Sequence, residues 1–323
     1  MSNPPVCRGV HGRGDSARVH LGWLAIFLAI LLLLVQACRP ASQTDHESKG
    51  EPTAPSITTG EPLAFPTPGD QQEALLPGFP PIPANLTHYS LRLDLDYAGQ
   101  VFTLDARVEY TNTEGVDLDS LYFRIYPNYG QSYGNGSINI LSTQVDGQPA
   151  VTRRSLFDSI EEVMLPEPLK PGGHLHIDFK ASGKVPIDFG GQESGSGYGM
   201  YNYSQGVLAL ADFYPMLAVY TSGSWALDPV YSYGDSVFSD AALYTAEVLA
   251  DPSLILASGG IQESQADAGN KLLYRYISGP ARDFAIIASP DFQVDSQSQG
   301  GTTVNSYFLP DHANAGAQAL RTA

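Results

Sequence analysis

The sequence predicts a mainly β protein built from stacked antiparallel sheets, and three observations carry that prediction. From residue 89 onward, apolar and polar side chains alternate along successive runs. Tyr89, Leu91, Leu93, Leu95 and Tyr97 interleave with Ser90, Arg92, Asp94 and Asp96, and Phe102, Leu104, Ala106, Val108 and Tyr110 with Thr103, Asp105, Arg107 and Glu109. A period of two places one set on a buried face. The runs are short and are separated by Gly- and Pro-bearing turns, the pattern of packed sheets. No long amphipathic helix pattern occurs before residue 310.

The chain opens with an address rather than a fold. Arg8, Arg13 and Arg18 precede an apolar run at 21–35, followed by Gln36, Ala37 and Cys38. A basic segment, a short apolar core and a small residue before the cut make a secretory signal. The run is shorter than the ~20 residues that span a bilayer. Val35-Gln36-Ala37-Cys38 resembles a bacterial lipobox, and the resemblance implies that residues 1–37 are a signal peptide and Cys38 the lipid attachment residue; an uncleaved membrane anchor and a soluble secreted protein are the alternatives. Two acyl chains there suffice for stable attachment. Residues 38–85 hold ten prolines among Ser, Thr, Glu and Gln without apolar periodicity, the composition of a disordered, semi-extended tether.

The folded part begins at about residue 86. The first two runs, joined through Ala98-Gly99, read as a hairpin. A third run at 121–126 alternates Leu121, Phe123 and Ile125 with Tyr122, Arg124 and Tyr126 and stops at Pro127, which has no N–H for a ladder. Further strands are expected at 138–145, 163–165, 175–181, 243–250, 254–258, 272–277, 284–288 and 302–308. Asp146-Gly147 suits a two-residue hairpin turn, and Pro171-Gly172-Gly173 is another break. Asp311 is positioned to cap a helix over 312–323.

With 34 acidic against 17 basic residues the net charge is -17, the wrong sign for a nucleic-acid partner. The two cysteines, Cys7 and Cys38, both precede the folded part, so it has neither a disulfide framework nor a Cys-based zinc site. None of His11, His20, His46, His88, His174, His176 and His312 begins a His-Glu-x-x-His helix. His174 and His176 share one strand face, but Asp178 and Lys180 follow on that face and mark it as solvated. Glu161 and Glu162 are neighbours on a strand and point to opposite faces, which rules out a cooperating acid/base pair. No Gly-x-Ser-x-Gly elbow or phosphate-cradling loop is present. Tyr198, Tyr201, Tyr203, Tyr214, Tyr220, Tyr231 and Tyr233 cluster with Phe213 and Trp225, a density that suits either packed loops or the wall of a binding cleft.

The text ADFYPMLAVYTSGSWALDPVYSYGDSVFSDAALYTAEVLADPSLILASG at 211–259 is followed by GPARDFAIIASPDF at 279–292. With the strand at 89–96 and LDSLYFRIYPN at 118–128, this ordered series resembles the N-terminal β domain of bacterial M1-type (gluzincin) zinc metallopeptidases, over roughly 86–310. The resemblance implies an antiparallel β-sandwich or saddle at 86–297, with 298–323 as the start of a truncated next domain. In that family the zinc and its ligands lie downstream of this domain. The chain is therefore expected to be the non-catalytic part of a membrane-anchored M1-like metallopeptidase, with no catalytic residue, metal or cofactor of its own. Zinc is expected in the complete enzyme only. The resemblance also implies that Asp212, Tyr214, Trp225, Asp228 and Tyr233 face the substrate cleft. The expected partners are membrane lipid through Cys38, the missing catalytic domain and peptide substrate, on the outer side of the cytoplasmic membrane. The alternative is a stand-alone lipoprotein β module that binds peptide or glycan at the cell envelope.

Overall fold

Each alternating run becomes a strand of a layered β structure, seen in a computed structural model that describes residues 81–188, 200–230 and 237–323. The apolar run at 21–35, Cys38, most of the tether, Tyr198, Tyr231 and Tyr233 lie outside the described residues. In chain order the strands are β1 His88–Asp96, β2 Val101–Thr111 and β3 Leu118–Arg124; a 3-10 turn at Tyr126–Asn128 and a single helical turn, α1 Gly130–Tyr133, follow. Next come β4 Ser137–Val145, β5 Gln148–Pro149, β6 Val151–Ser155, β7 Ile160–Leu169 and β8 His174–Lys184. The middle of the chain forms β9 Tyr201–Ser204, β10 Val207–Leu210, β11 Met216–Leu217, β12 Tyr220–Thr221 and β13 Ser224–Trp225. The last strands are β14 Ala242–Ala250, β15 Ile255–Ser258, β16 Ile261–Ala268, β17 Lys271–Ala281, β18 Ile286–Ser289, β19 Gln293–Gln299 and β20 Thr302–Phe308, before helix α2 Ala313–Thr322.

The strands make an eight-stranded sheet in the order β16-β17-β14-β1-β2-β8-β4-β5, two four-stranded sheets, β15-β18-β10-β9 and β11-β3-β7-β6, and two hairpins, β12-β13 and β19-β20. Among the described strands the pairings are antiparallel except that β1 pairs in parallel with β14, His88 opposite Leu243. The long connection between them permits this, because parallel neighbours need a crossover whereas antiparallel ones need only a hairpin.

Register explains the core. Leu93 faces Leu104 and Leu95 faces Phe102 across β1–β2, while Ala106 faces Phe179 and Val108 faces Ile177 across β2–β8. These side chains are buried in one cluster with Leu121, Phe123 and Val163 of the β3–β7 sheet and Leu208, Leu210 and Ile286 of the β10–β18 sheet. Phe123 meets Phe179 edge-on with ring centroids 4.8 Å apart, which locks two of the sheets together. The other face of the large sheet carries charge pairs, among them Arg92–Glu247 at 2.7 Å, Arg107–Asp178 at 2.5 Å and Lys180–Asp105 at 2.7 Å. Such cross-strand pairs fix register more than they add stability.

Asp146 (φ 50°) and Gly147 (φ 76°) form the expected two-residue turn, the left-handed pair that matches strand twist. Two local expectations change. The third strand ends at Arg124, and Pro127 sits in the 3-10 turn that follows. Asp311 lies in a 3-10 turn, Pro310–His312, and the helix is capped by His312 without a side-chain hydrogen bond.

Gly183 stands opposite Phe102 in the β2–β8 register, and a Cβ there would lie 2.0 Å from the Phe102 ring. The ring occupies the space that the glycine leaves. Gly183→Ala is expected to destabilise the fold by about 1–3 kcal/mol through overpacking. Urea unfolding should show much of that loss absent when the same change is made in a Phe102→Leu background. Equal losses in both backgrounds would contradict this packing.

Candidate functional site

The aromatic segment after β10 divides into residues that build the core and residues that border a cavity. Asp212 takes a left-handed backbone conformation (φ 55°), and its buried carboxylate accepts a hydrogen bond from the Tyr133 hydroxyl at 3.1 Å. Tyr214 is 0% exposed. Its hydroxyl oxygen accepts the Phe284 N–H at 3.1 Å, and its ring meets Phe213, Tyr89 and Tyr244 edge-on at 5.2, 5.4 and 5.9 Å. Burial, followed by the neighbouring Tyr244, raises its phenol pKa well above the ordinary value. Asp212 and Tyr214 thus lie inside the fold, where they fix the chain entering β11.

Trp225 is half-buried on β13. It pairs with Tyr220 across a tight turn in which Ser222 and Gly223 both have positive φ (53° and 83°). Its ring stands 5.2 Å from Tyr220 and 5.8 Å from Tyr122. Asp228 is exposed, and its backbone carbonyl accepts Arg124 Nη1 at 2.9 Å, tying the loop to β3. The structure therefore disperses the residues expected to line a common cleft: two are internal, Trp225 borders a cavity, Asp228 anchors a loop through its backbone, and Tyr233 lies outside the described residues.

The cavity beside Trp225 has a volume of about 430 Å³ and lies between the start of β1, the end of β2, the β12–β13 hairpin and the segment entering β14. Its aromatic walls are Tyr89, Tyr110, Tyr220, Trp225 and Tyr244. Met216 and Leu217 also border it, and among the described residues Glu114 and Asp240 are the carboxylates that do so. Tyr89 and Tyr244 stack at 5.0 Å, and the Tyr89 hydroxyl accepts the Leu217 N–H at 2.9 Å, so that wall is fixed. The buried Tyr110 hydroxyl has no hydrogen-bond partner among the described residues. Sequence reading places Tyr89 and Tyr110 on strand faces but gives no sign that they share a cavity with Asp240, because strand pairing over long separations brings them together.

His88, His174 and His176 each lie beside a polar partner on a neighbouring strand or turn. His88 is buried, with Nε2 3.2 Å from Thr245 Oγ1 and Nδ1 3.9 Å from Glu109, and burial pushes its pKa down to about 4. His174 Nδ1 lies 3.3 Å from Thr111 Oγ1. His176 lies 3.0 Å from Asp146 and 3.5 Å from Asp178, whose two oxygens also accept from Arg107. Among the described residues no three His, Cys, Asp or Glu side chains come together as a metal-holding group. Arg107 already engages both oxygens of Asp178, one of the two carboxylates beside His176, so that carboxylate is a structural ion-pair partner.

A second opening, about 520 Å³, lies beside β20 and α2 and is bordered by Val207, Phe292, Tyr307, Leu309 and Ala319. It adjoins the β15-β18-β10-β9 sheet. That sheet buries Leu256, Ile286, Ala288, Leu208 and Leu210 on one face, and on the other it presents Ala257, Ile287 and Ala209 in register. Ile287 is 38% exposed.

Comparison with solved structures finds M1 zinc metallopeptidases. The enzyme from Deinococcus radiodurans is similar to this chain at 16% identity with a TM-score of 0.45, over 69% of this chain and 46% of that one. A two-domain M1 zinc metallopeptidase mutant bound to L-arginine is similar at 16% identity with a TM-score of 0.46, over 73% and 53%. The chain spans about half the length of the solved structures it matches. No family model matches the sequence. No curated protein matches it.

Proposed function

We propose that this chain is the non-catalytic β domain of a membrane-anchored M1-like zinc metallopeptidase, in which it braces a zinc-bearing domain that hydrolyses peptide bonds. Cys38 carries the lipid, and residues 38–85 hold the sheets away from the outer side of the cytoplasmic membrane. The resemblance of the phrases at 89–96, 118–128, 211–259 and 279–292 supports the reading, since these phrases form adjoining strands of the core rather than one isolated element.

The observation that carries it is the apolar outer face of the β15-β18-β10-β9 sheet. An antiparallel sheet with one face in water carries polar side chains there. Three of its strands carry Ala257, Ile287 and Ala209 there, with Asn202 on the fourth, and the opening beside α2 lies next to it. A face of that composition suits a docked domain. The aromatic-walled cavity favours a second reading, a lipoprotein module that binds peptide or glycan at the cell envelope.

The test is hydrolysis. The purified full chain, supplied with zinc and a panel of peptide substrates, is expected to show no turnover above the no-protein control. Turnover abolished by a chelator would overturn the non-catalytic assignment. Ile287→Glu is expected to leave the urea midpoint nearly unchanged and to reduce the binding of an apolar dye. Unchanged dye binding would remove the docking face.

A further inference from the structure

We propose that the aromatic-walled cavity beside Trp225 is the docking groove for a proline-rich segment of the chain itself, residues 75–80, which lie outside the described residues. The inference does not depend on the metallopeptidase reading. The segment and its continuation read Leu75-Leu76-Pro77-Gly78-Phe79-Pro80-Pro81-Ile82-Pro83, prolines set among large apolar side chains. Each proline presets its φ, so such a sequence loses little freedom on settling into an extended helix of three residues per turn. Grooves lined by Tyr and Trp rings are the surfaces that take it.

The point where the chain enters the fold supplies the second argument. Asn85, Leu86 and Thr87 themselves border the cavity. The Leu86 N–H donates to the Pro83 carbonyl at 3.3 Å, a turn that reverses the chain at the cavity's edge. Residues 75–80 are thus tied to the rim by residues 81–84, a span of about 14 Å at most. So short a tie gives an effective concentration of millimolar order, and a weak contact is enough to keep the groove filled. Tyr220 and Trp225, both half-buried, border the cavity from the β12–β13 hairpin with ring centroids 5.2 Å apart. Their hydroxyl and indole N–H are donors, which suits a proline-rich backbone that has carbonyls but few N–H groups. Residues 75–83 carry no charge and meet Glu114 and Asp240 without repulsion, whereas the stretch before them carries Asp70 and Glu73. Docked there, the segment fixes the exit of the tether and caps the cavity, so that an outside peptide or sugar has to displace it.

Acrylamide quenching of fluorescence tests this in the full chain carrying Trp23→Phe, where Trp225 is the sole tryptophan. Two variants alter the segment and leave the sheets untouched: Phe79→Ser, and Pro77→Ser with Pro80→Ser and Pro81→Ser. Each is expected to raise the quenching constant of Trp225 about twofold or more, because the indole loses its cover, while far-ultraviolet circular dichroism keeps its β signal. A synthetic peptide of residues 74–83, added to the triple-serine variant, should restore the shielding saturably, and the same peptide with serine at each proline should not. Unchanged quenching in either variant, or shielding restored by the serine peptide, overturns the proposal. Shielding in the parent chain that grows with protein concentration would assign the groove to a second copy. Equal affinity of the peptide for the parent and for the triple-serine variant would assign it to a proline-rich partner from outside. Either result overturns the proposal as well.

Discussion

Tyr214→Ala is expected to lower the free energy of unfolding by about 3–5 kcal/mol, the range for deleting a fully buried aromatic ring. The ring sits between Tyr89, Phe213 and Tyr244, and the large sheet, the segment after β10 and the approach to β18 all converge on it. Tyr214→Phe separates the hydroxyl from the ring. It leaves the Phe284 N–H without its acceptor in a buried setting, and should cost about 1–3 kcal/mol. Urea unfolding measures both. A residue serving only to line a cleft would change stability by no more than about 0.5 kcal/mol, and that result for Tyr214→Ala would contradict the placement described here.

The second large effect is acid sensitivity through His88. Its pKa in the fold is pushed from an ordinary 6.5 to about 4 by burial among β1, β2 and β14. Thr245 lies 3.2 Å from one ring nitrogen and Glu109 3.9 Å from the other. Between these two pKa values the unfolded chain binds a proton that the folded chain excludes. The stabilisation is therefore complete above pH 6.5 and is lost as the pH falls toward 4, by about 2 kcal/mol at pH 5 and about 3 kcal/mol in full. Urea midpoints at pH 7.5 and 5 should show this loss in the native protein and a smaller one in His88→Gln. The same pH dependence in both proteins would place the sensitivity elsewhere.

Elements with one buried face were legible in the sequence. The alternation in β1, β2 and β8 is the direct imprint of burial on a period of two, and the Asp146-Gly147 turn declared itself through the residues that tolerate positive φ. Strands β16 and β19 were not legible. QESQADA and QVDSQSQ carry almost no apolar alternation, because nearly all their residues face water, and they become strands by pairing with β17 and β20. The parallel β1–β14 pairing leaves no local trace either, since neither strand records which neighbour it meets. At the candidate site, aromatic density marked the right segment but not the facing of each ring. Tyr214 and Trp225 lie in a stretch with no long regular strand, so alternation could not separate the buried ring from the one at the cavity. Tyr110, Glu114 and Asp240 were not singled out, because only the folded sheet makes them neighbours.

These sheets are held by burial and strand pairing, and their stability should owe nothing to a bound metal. Metal content of the purified full chain after equilibration with zinc and desalting, together with its melting temperature with and without a chelator, tests this most directly. Zinc well below one ion per chain is expected, with a melting temperature that the chelator does not move. One retained zinc per chain, with melting lowered by the chelator, would contradict it.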